Sequence, residues 1–275
     1  MTRTTTSDRL WFVTGASSGI GLALTRAALA AGDRVIGAAR RIEPLTALVA
    51  EHPGRLDALP LDVTDRSAVF AAVDRATQAH GRLDVVVNNA GIMGSGTVEE
   101  FTETGARAQL ETNFFGALWV TQAVLPHLRR QGAGRLIQIS SIGGVIGFAT
   151  TGLYSASKWA LEGMSEALAQ EVAPFGVKVS IVEPGGYTTG LYTSMRTEPA
   201  HPAYEPLHTA LAQMWGDAED ADPAGAAKAL LALADSDDPP LRLILGSAMY
   251  DVAQQAADSR KAIWASWEEA SRAAG

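Results

Sequence analysis

The fold class this sequence predicts is α/β: a single doubly wound domain, with a parallel sheet of about seven strands and helices on both faces. Three observations predict it. Short apolar runs alternate with helical patterns from residue 10 onward, the rhythm of strand–helix–strand units. Those runs are apolar nearly throughout rather than at every second position, as strands covered on both faces should be. The 275 residues, 47% of them hydrophobic, are enough for one large core, and no internal repeat divides them.

The first run, Leu10–Val13, ends at Thr14-Gly15, and a helical pattern over Gly19–Ala31 follows, closed by Gly32. Arg34–Ala39 is the second run, and a weaker helix covers about Ile42–Glu51. Leu56–Leu61 leads to Asp62, after which Thr64 is placed to cap a helix reaching about His80. Arg82–Val87 ends at Asn88-Asn89-Ala90-Gly91, before a long helix over Thr104–Arg130. Arg135–Ile139, the helix Leu153–Ala173 and Val177–Val182 continue the alternation. A helix at about Pro223–Ala234 precedes a seventh strand at Leu241–Leu245. Gly190–Asp222 breaks the rhythm with Pro199, Pro202 and Pro206 and is expected to be a mobile, substrate-covering segment. Residues 1–8 are expected to form a flexible tail and 247–275 a helical extension carrying Trp264 and Trp267, all within one domain spanning 1–275.

Composition narrows the function. Lys plus Arg is 22 against 30 for Asp plus Glu, a net charge of −8, so no nucleic-acid partner is expected. The absence of cysteine excludes disulfides, thiolate catalysis and Cys-ligated metals. The five histidines show no metal-ligand spacing. No apolar stretch is long enough to span a membrane, and no signal-peptide core precedes the first strand, so a cytoplasmic location is expected.

The segment Thr14-Gly15-Ala16-Ser17-Ser18-Gly19-Ile20-Gly21 stands at the first strand–helix junction. Glycines there let the backbone turn sharply and approach a pyrophosphate, which the free N–H groups and positive end of the following helix attract. In this position the turn marks a Rossmann-type dinucleotide site. The second strand ends Gly37-Ala38-Ala39-Arg40-Arg41, with no acid for a ribose 2′-hydroxyl and a guanidinium, Arg40, suited to a 2′-phosphate. NADP(H) is therefore favoured and NAD(H) stays open. Arg41 reads equally well as a solvated loop residue.

Tyr154-Ser155-Ala156-Ser157-Lys158 puts a phenol and an ammonium on one helix face, one turn apart. A free phenol is a poor base near neutrality, and a neighbouring ammonium favours its phenolate, which equips the pair for proton exchange.

The order and spacing of Thr14–Gly21, Asn88–Gly91, Ser141, Tyr154 and Lys158 resemble the classical short-chain dehydrogenase/reductase family over about residues 9–190. That resemblance implies a hydride exchanged between a nicotinamide dinucleotide and a carbonyl or alcohol. It makes Tyr154 the general acid or base, Lys158 its partner and a ligand of the nicotinamide ribose, and Ser141 the group that polarises the substrate oxygen. Asn113 would complete the set by supporting a water path to Lys158. For the dinucleotide it implies contacts from Gly15, Ser17, Ser18, Gly19, Ile20 and Gly21. Further along, Asn88, Ala90 and Gly91 lie beside the adenosine ribose, with Asn88 and Ala90 preferred and Gly91 mainly structural. Asp62 and Val63 stand at the adenine, although Asp62 also reads as a helix-start acid. Pro184, Gly185 and Thr189 stand at the carboxamide. The basic residue that many NADP-preferring members carry in the glycine turn is Ser18 here.

Met93, Val145, Phe148, Tyr187 and Tyr192, with Ser141, are the expected substrate contacts, and their apolar character suits a small hydrophobic molecule. A homodimer or homotetramer is implied by the resemblance. The alternative from another class is a dinucleotide-binding sensor or scaffold without turnover, because folds of this kind host both.

Overall fold

Alternate residues of the first strand, β1 (Leu10–Thr14), belong to different cores: Leu10 and Phe12 to one, Trp11 and Val13 to the other. That is the two-residue period of a strand buried on both sides. The computed structural model describes residues 8–215 and 220–275, apart from the side chains of Tyr192, Thr193 and Trp215. From β1 the chain runs through α1 (Gly19–Ala30), β2 (Arg34–Ala39), α2 (Thr46–Glu51), β3 (Leu56–Pro60), α3 (Arg66–His80) and β4 (Val85–Asn88). A short β5 (Gly94–Ser95) precedes α4 (Glu103–Leu110), α5 (Gly116–Gln131), β6 (Gly134–Ile139), α6 (Gly152–Val172) and β7 (Val177–Pro184). Then come α7 (Gly190–Thr193), β8 (Arg196–Thr197), α8 (Glu205–Trp215), α9 (Pro223–Asp235), β9 (Arg242–Leu245), α10 (Ser247–Ser266) and α11 (Glu268–Ala273).

Seven parallel strands form one sheet in the order β3-β2-β1-β4-β6-β7-β9. One core lies between the sheet and α1, α2 and α9, with Leu24, Leu29, Leu48 and Leu230 at its centre. The other lies under α3, α5 and α6, with Val69, Val73, Val124, Leu128 and Leu168. Each fully buried side chain of this size stabilises the fold by about 1.5–3 kcal/mol relative to exposure. The order reverses between β1, whose next strand in the chain lies on one side, and β4, which pairs on the other. Ligands of doubly wound sheets bind at the carboxyl ends of the strands flanking that reversal.

Three expectations need correction. The helix after β3 is capped by Asp65, whose carboxylate accepts the Ala68 N–H at 2.9 Å; Thr64 instead donates its hydroxyl to Asp62. The long helix over 104–130 is interrupted by a π-turn at Glu111–Phe115. The stretch 190–222, read from the sequence as a mobile segment with no elements named in it, contains α7, β8 and α8, and β8 pairs with β5. Buried Glu100 fastens it by accepting from His201 N (2.8 Å) and facing His208 Nε2 (2.8 Å), while buried Glu198 reaches Thr102 N (3.4 Å). These bonds hold Glu100 down to about 2, against the opposing effect of burial. Residues 1–7 of the expected tail and 216–219 of this stretch lie outside the described residues. Among the described residues no helix is long and apolar enough to cross a membrane.

Candidate active site

Thr14 laces the ends of β1 and β4 together. Its Oγ1 accepts from Asn89 N and Ala90 N, each at 3.0 Å, and donates to Val87 O. Asn89 returns the connection, donating Nδ2 to Thr14 O (2.9 Å) and Gly15 O (3.1 Å). The glycine turn closes on this lacing. Gly19 has φ +51°, in the left-handed region, and a Cβ there would lie 2.8 Å from Thr189 Cβ. A Cβ on Gly21 would collide with Gly15 O. Ser18 is extended at the N-cap of α1 and its side chain makes no capping bond to the first turn. Ser17 is half-buried, Ser18 exposed, and Ile20 roots the turn in the core.

The neighbouring strand end is consistent with a phosphate site. Ala16 N donates to Ala38 O (3.2 Å), which joins the turn to the end of β2, two residues before exposed Arg40. Position 39 is a buried alanine, and Asp33 is committed to Arg9 and Trp11. Asp62 Oδ1 accepts from Thr64 N and Oγ1, the turn-forming role, with the side chain still exposed. Val63 is buried beside Gly116, where an added Cβ would lie 2.6 Å from its Cγ2.

The proton-handling residues converge from separate elements. Tyr154 and Lys158 lie on α6, both buried. Lys158 Nζ is 5.7 Å from the Tyr154 ring centre and donates to Ile139 O at 2.8 Å. Burial pushes the ammonium down to about 8, with Glu162 opposing the shift. Ser141 caps the turn Ile142–Gly144, its Oγ accepting from Gly143 N (3.1 Å). Tyr154 packs on that glycine, since a Cβ there would meet Tyr154 Cε1 at 3.2 Å. Ser141 and Tyr154 therefore flank one small residue. Asn113 sits in the π-turn, a distortion frequent at functional sites. Its Oδ1 accepts from Ile92 N (2.9 Å), and its Nδ2 donates to Ile92 O and Ser157 Oγ, each at 3.0 Å. Ser157 Oγ continues to Tyr154 O (2.7 Å). Gly91 is where these parts meet: a Cβ there would be 3.4 Å from Asn113 Oδ1 and 3.8 Å from Lys158 Nζ.

Other expected contacts are sorted by position. Half-buried Ala90 and exposed Gly91 lie at the β4 end, beside the glycine turn. Pro184 O accepts from Ser141 Oγ (3.5 Å), Gly185 packs against Met249, and Thr189 lies against Gly19. Thr188 turns the other way, bonded to Ala221 O and Asp220 O. Half-buried Met93 bonds Arg196 N through its carbonyl, and half-buried Val145 and Phe148 line the loop between Ser141 and Tyr154. Two of the expected contacts have buried side chains. The Asn88 side chain is buried and donates to Ala117 O, Thr121 Oγ1 and Gln138 Oε1, so it braces the sheet against α5 rather than pointing outward. Tyr187 is 8% exposed, as Tyr154 is, and belongs to the core cluster that includes Val182 and Leu230. The Tyr192 side chain lies outside those described.

Sequence reasoning missed the acids that hold the site's surroundings: Glu100 and Glu198 at the covering segment, and Glu162 beneath Lys158. Nothing in their spacing distinguishes them from exposed carboxylates. Among the described residues no cluster of three His, Asp or Glu suited to a metal is present.

Known proteins similar to this chain point to its family. Oxidoreductase BOA17 of Botryotinia fuckeliana is 39% identical over 270 residues, covering 96% of this chain and 98% of its own. The crystal structure of a short-chain dehydrogenase from Streptomyces avermitilis superposes with a TM-score of 0.91 at 43% identity, over 98% of this chain and all of the other. An alcohol dehydrogenase from the archaeon Thermococcus sibiricus, solved with 5-hydroxy-NADP, gives a TM-score of 0.73 at 25% identity, over 86% of this chain and 95% of its own. Residues 9–200, which contain the glycine turn and the Ser141, Tyr154 and Lys158 constellation, match the short chain dehydrogenase family, and the chain belongs to that family of oxidoreductases.

Proposed function

We propose that the chain is an NADP(H)-dependent oxidoreductase that interconverts a carbonyl and an alcohol on a small hydrophobic substrate, with Tyr154 as general acid and base. The observation that carries this reading is the convergence at Gly143 and Gly91: Ser141 and Tyr154 flank the first, and Asn113 and Lys158 border the second. The residues fit a dinucleotide, because the first turn of α1 has no side-chain cap from Ser18 and its N–H groups suit an anion. The main chain of Gly15–Gly21, including Ser17, Ser18 and Ile20, would hold the pyrophosphate, and Arg40 the 2′-phosphate. Asp62 and Val63 would border the adenine, Ala90 and Gly91 the ribose, and Pro184, Gly185 and Thr189 the carboxamide. When bound, the nicotinamide supplies or accepts the hydride.

The residues of the chain handle the proton. In reduction, Ser141 Oγ holds the substrate oxygen and the Tyr154 hydroxyl gives it a proton. The phenolate left behind is stabilised by the Lys158 ammonium. With Lys158 held at about 8, that charge is present at neutral pH. Oxidation runs the same transfer backwards. Asn113, clamped to Ile92, keeps the π-turn open towards Lys158 for the water path that returns the proton. Met93, Val145 and Phe148 supply an apolar wall. A homodimer or homotetramer in the cytoplasm belongs to the same reading.

Tyr154→Phe tests it. Turnover should fall at least about 100-fold while NADPH binding stays within about threefold, because a phenyl ring keeps the packing on Gly143 and loses the proton. Undiminished turnover would refute the mechanism. An unaltered chain that binds NADPH yet turns over no ketone, aldehyde or alcohol would instead be a sensor.

A further inference from the structure

Glu162 stands one turn after Lys158 on α6 and is 4% exposed. Its Oε1 accepts from Ser140 Oγ at 2.6 Å, and its Oε2 pairs with Arg242 of β9. The same guanidinium donates to Glu183 Oε1 on β7 (2.6 Å) and to Glu166 Oε1 on α6 (2.8 Å). One cation thus serves three carboxylates, two of them buried. A buried charge arranged this way is weak evidence for stability, and an apolar side chain of similar size is often as stable. Its surroundings point to a different use.

Consecutive residues at the end of β6 are fastened to consecutive turns of α6: Ile139 O to Lys158 Nζ at 2.8 Å, and Ser140 Oγ to Glu162. The next residue is Ser141. The loop it begins closes directly on the acid, because a Cβ on Gly144 would collide with Glu162 Oε1 and lie 2.5 Å from Ser140 Oγ. The charged groups facing Glu162 are Lys158 and Glu166 from its own helix, Glu183 from β7 and Arg242 from β9. Lys158 and Glu162 share one helix face at a spacing of four residues.

We propose that Glu162 is a positioning residue of the catalytic centre: clamped by Arg242, it is the fixed counter-charge of the Lys158 ammonium and, through Ser140, the brace of the loop that carries Ser141. This inference rests on the reading of Tyr154 and Lys158 as the proton-handling pair. Burial raises the Glu162 carboxyl, and the bonds from Ser140 and Arg242 oppose that shift. The acid in turn opposes the fall of Lys158 caused by burial.

The chain has four lysines, Lys158, Lys178, Lys228 and Lys261, so each ε-carbon can be followed by NMR in protein labelled with ε-¹³C-lysine, without cofactor or substrate. The Lys158 signal is identified by its loss in Lys158→Met. Glu162→Gln keeps an oxygen for Ser140 and relieves an excess of acid around Arg242, so the fold should be retained. Lys158 should then titrate about one pH unit lower than in the unaltered chain. Glu166→Gln takes a half-exposed acid from the same guanidinium and should leave Lys158 where it was. Ser140→Ala tests the brace: amide exchange at Gly143 and Gly144 should quicken about tenfold, with the Lys158 titration unchanged. A Lys158 titration identical in Glu162→Gln and the unaltered chain overturns the counter-charge. Unaltered exchange in Ser140→Ala overturns the brace. Neither measurement depends on turnover, so failure here is separate from failure of the proposed reaction, which Tyr154→Phe reads.

Discussion

Replacing Lys158 with methionine should make the protein more stable at neutral pH while removing its chemistry. Lys158 is buried, and its ammonium falls from the ordinary 10.5 to about 8, chiefly through loss of hydration. At about 1.4 kcal/mol per pH unit, that fall amounts to about 3 kcal/mol against folding when both states are protonated. Methionine is similar in reach and needs no hydration. It leaves Ile139 O without the lysine bond, a loss of about 1 kcal/mol. Glu162 keeps Ser140 and Arg242 as partners. The net gain at pH 7 is about 2 kcal/mol, or about 4–8 °C in Tm for a domain of this size. The sign reverses what a lysine with a raised value would give. Between about 8 and 10.5 the unfolded chain holds a proton that the folded chain has lost, so the unaltered protein gains stability as pH rises through that window. The advantage of the variant should shrink accordingly. Urea unfolding of both chains at pH 7 and pH 10, with equal m-values, measures it. A variant less stable at pH 7, or an advantage that does not change with pH, would refute the reasoning.

Two further substitutions address the dinucleotide site. Arg40→Ala should weaken NADPH binding about 10- to 100-fold by calorimetry and leave NADH within about twofold, as the loss of charge-assisted bonds to one phosphate would do; equal effects on both would remove the NADP assignment. Gly21→Ala forces a methyl group onto Gly15 O and towards Asn89 Nδ2, and should lower stability by about 1–3 kcal/mol together with dinucleotide binding; an unchanged urea midpoint would show that the turn has room to spare.

How much of this was legible in the sequence follows physical lines. Strands buried on both faces are continuous apolar runs, so β1, β2, β6 and β7 were read to within two residues. The glycine turn was legible because positive φ and close backbone approach admit few alternatives to glycine. The π-turn at Asn113 was not, because a single five-residue turn between two helices is too short to carry a pattern of its own. The cap at Asp65 was missed because two good capping residues, Thr64 and Asp65, are adjacent, and the competition is decided by Asp62, which takes the Thr64 hydroxyl. The elements within residues 190–215 were not foreseen because β8 is two residues long and the segment is held by contacts to Glu100 and Thr102, distant in the chain and beyond any local pattern. The burial of the Asn88 and Tyr187 side chains was not legible either, because it follows from packing between elements distant in the chain.

The strand order has a consequence for how the chain is made. β1 is an interior strand of the sheet, next to the central β4, and is the first strand to leave the ribosome; β2 and β3 extend it on one side. From β4 onward every new strand of the main sheet is added to the edge left by the one before it, β6 on β4, β7 on β6 and β9 on β7. At about 5–20 residues per second, each of those edges stands open for seconds, awaiting a strand not yet synthesised. The longest exposure falls to β7, because some sixty residues separate it from β9. Its Glu183 and the neighbouring Glu162 have no guanidinium until Arg242 emerges. These two acids therefore stay without their shared guanidinium until the last strand of the sheet arrives.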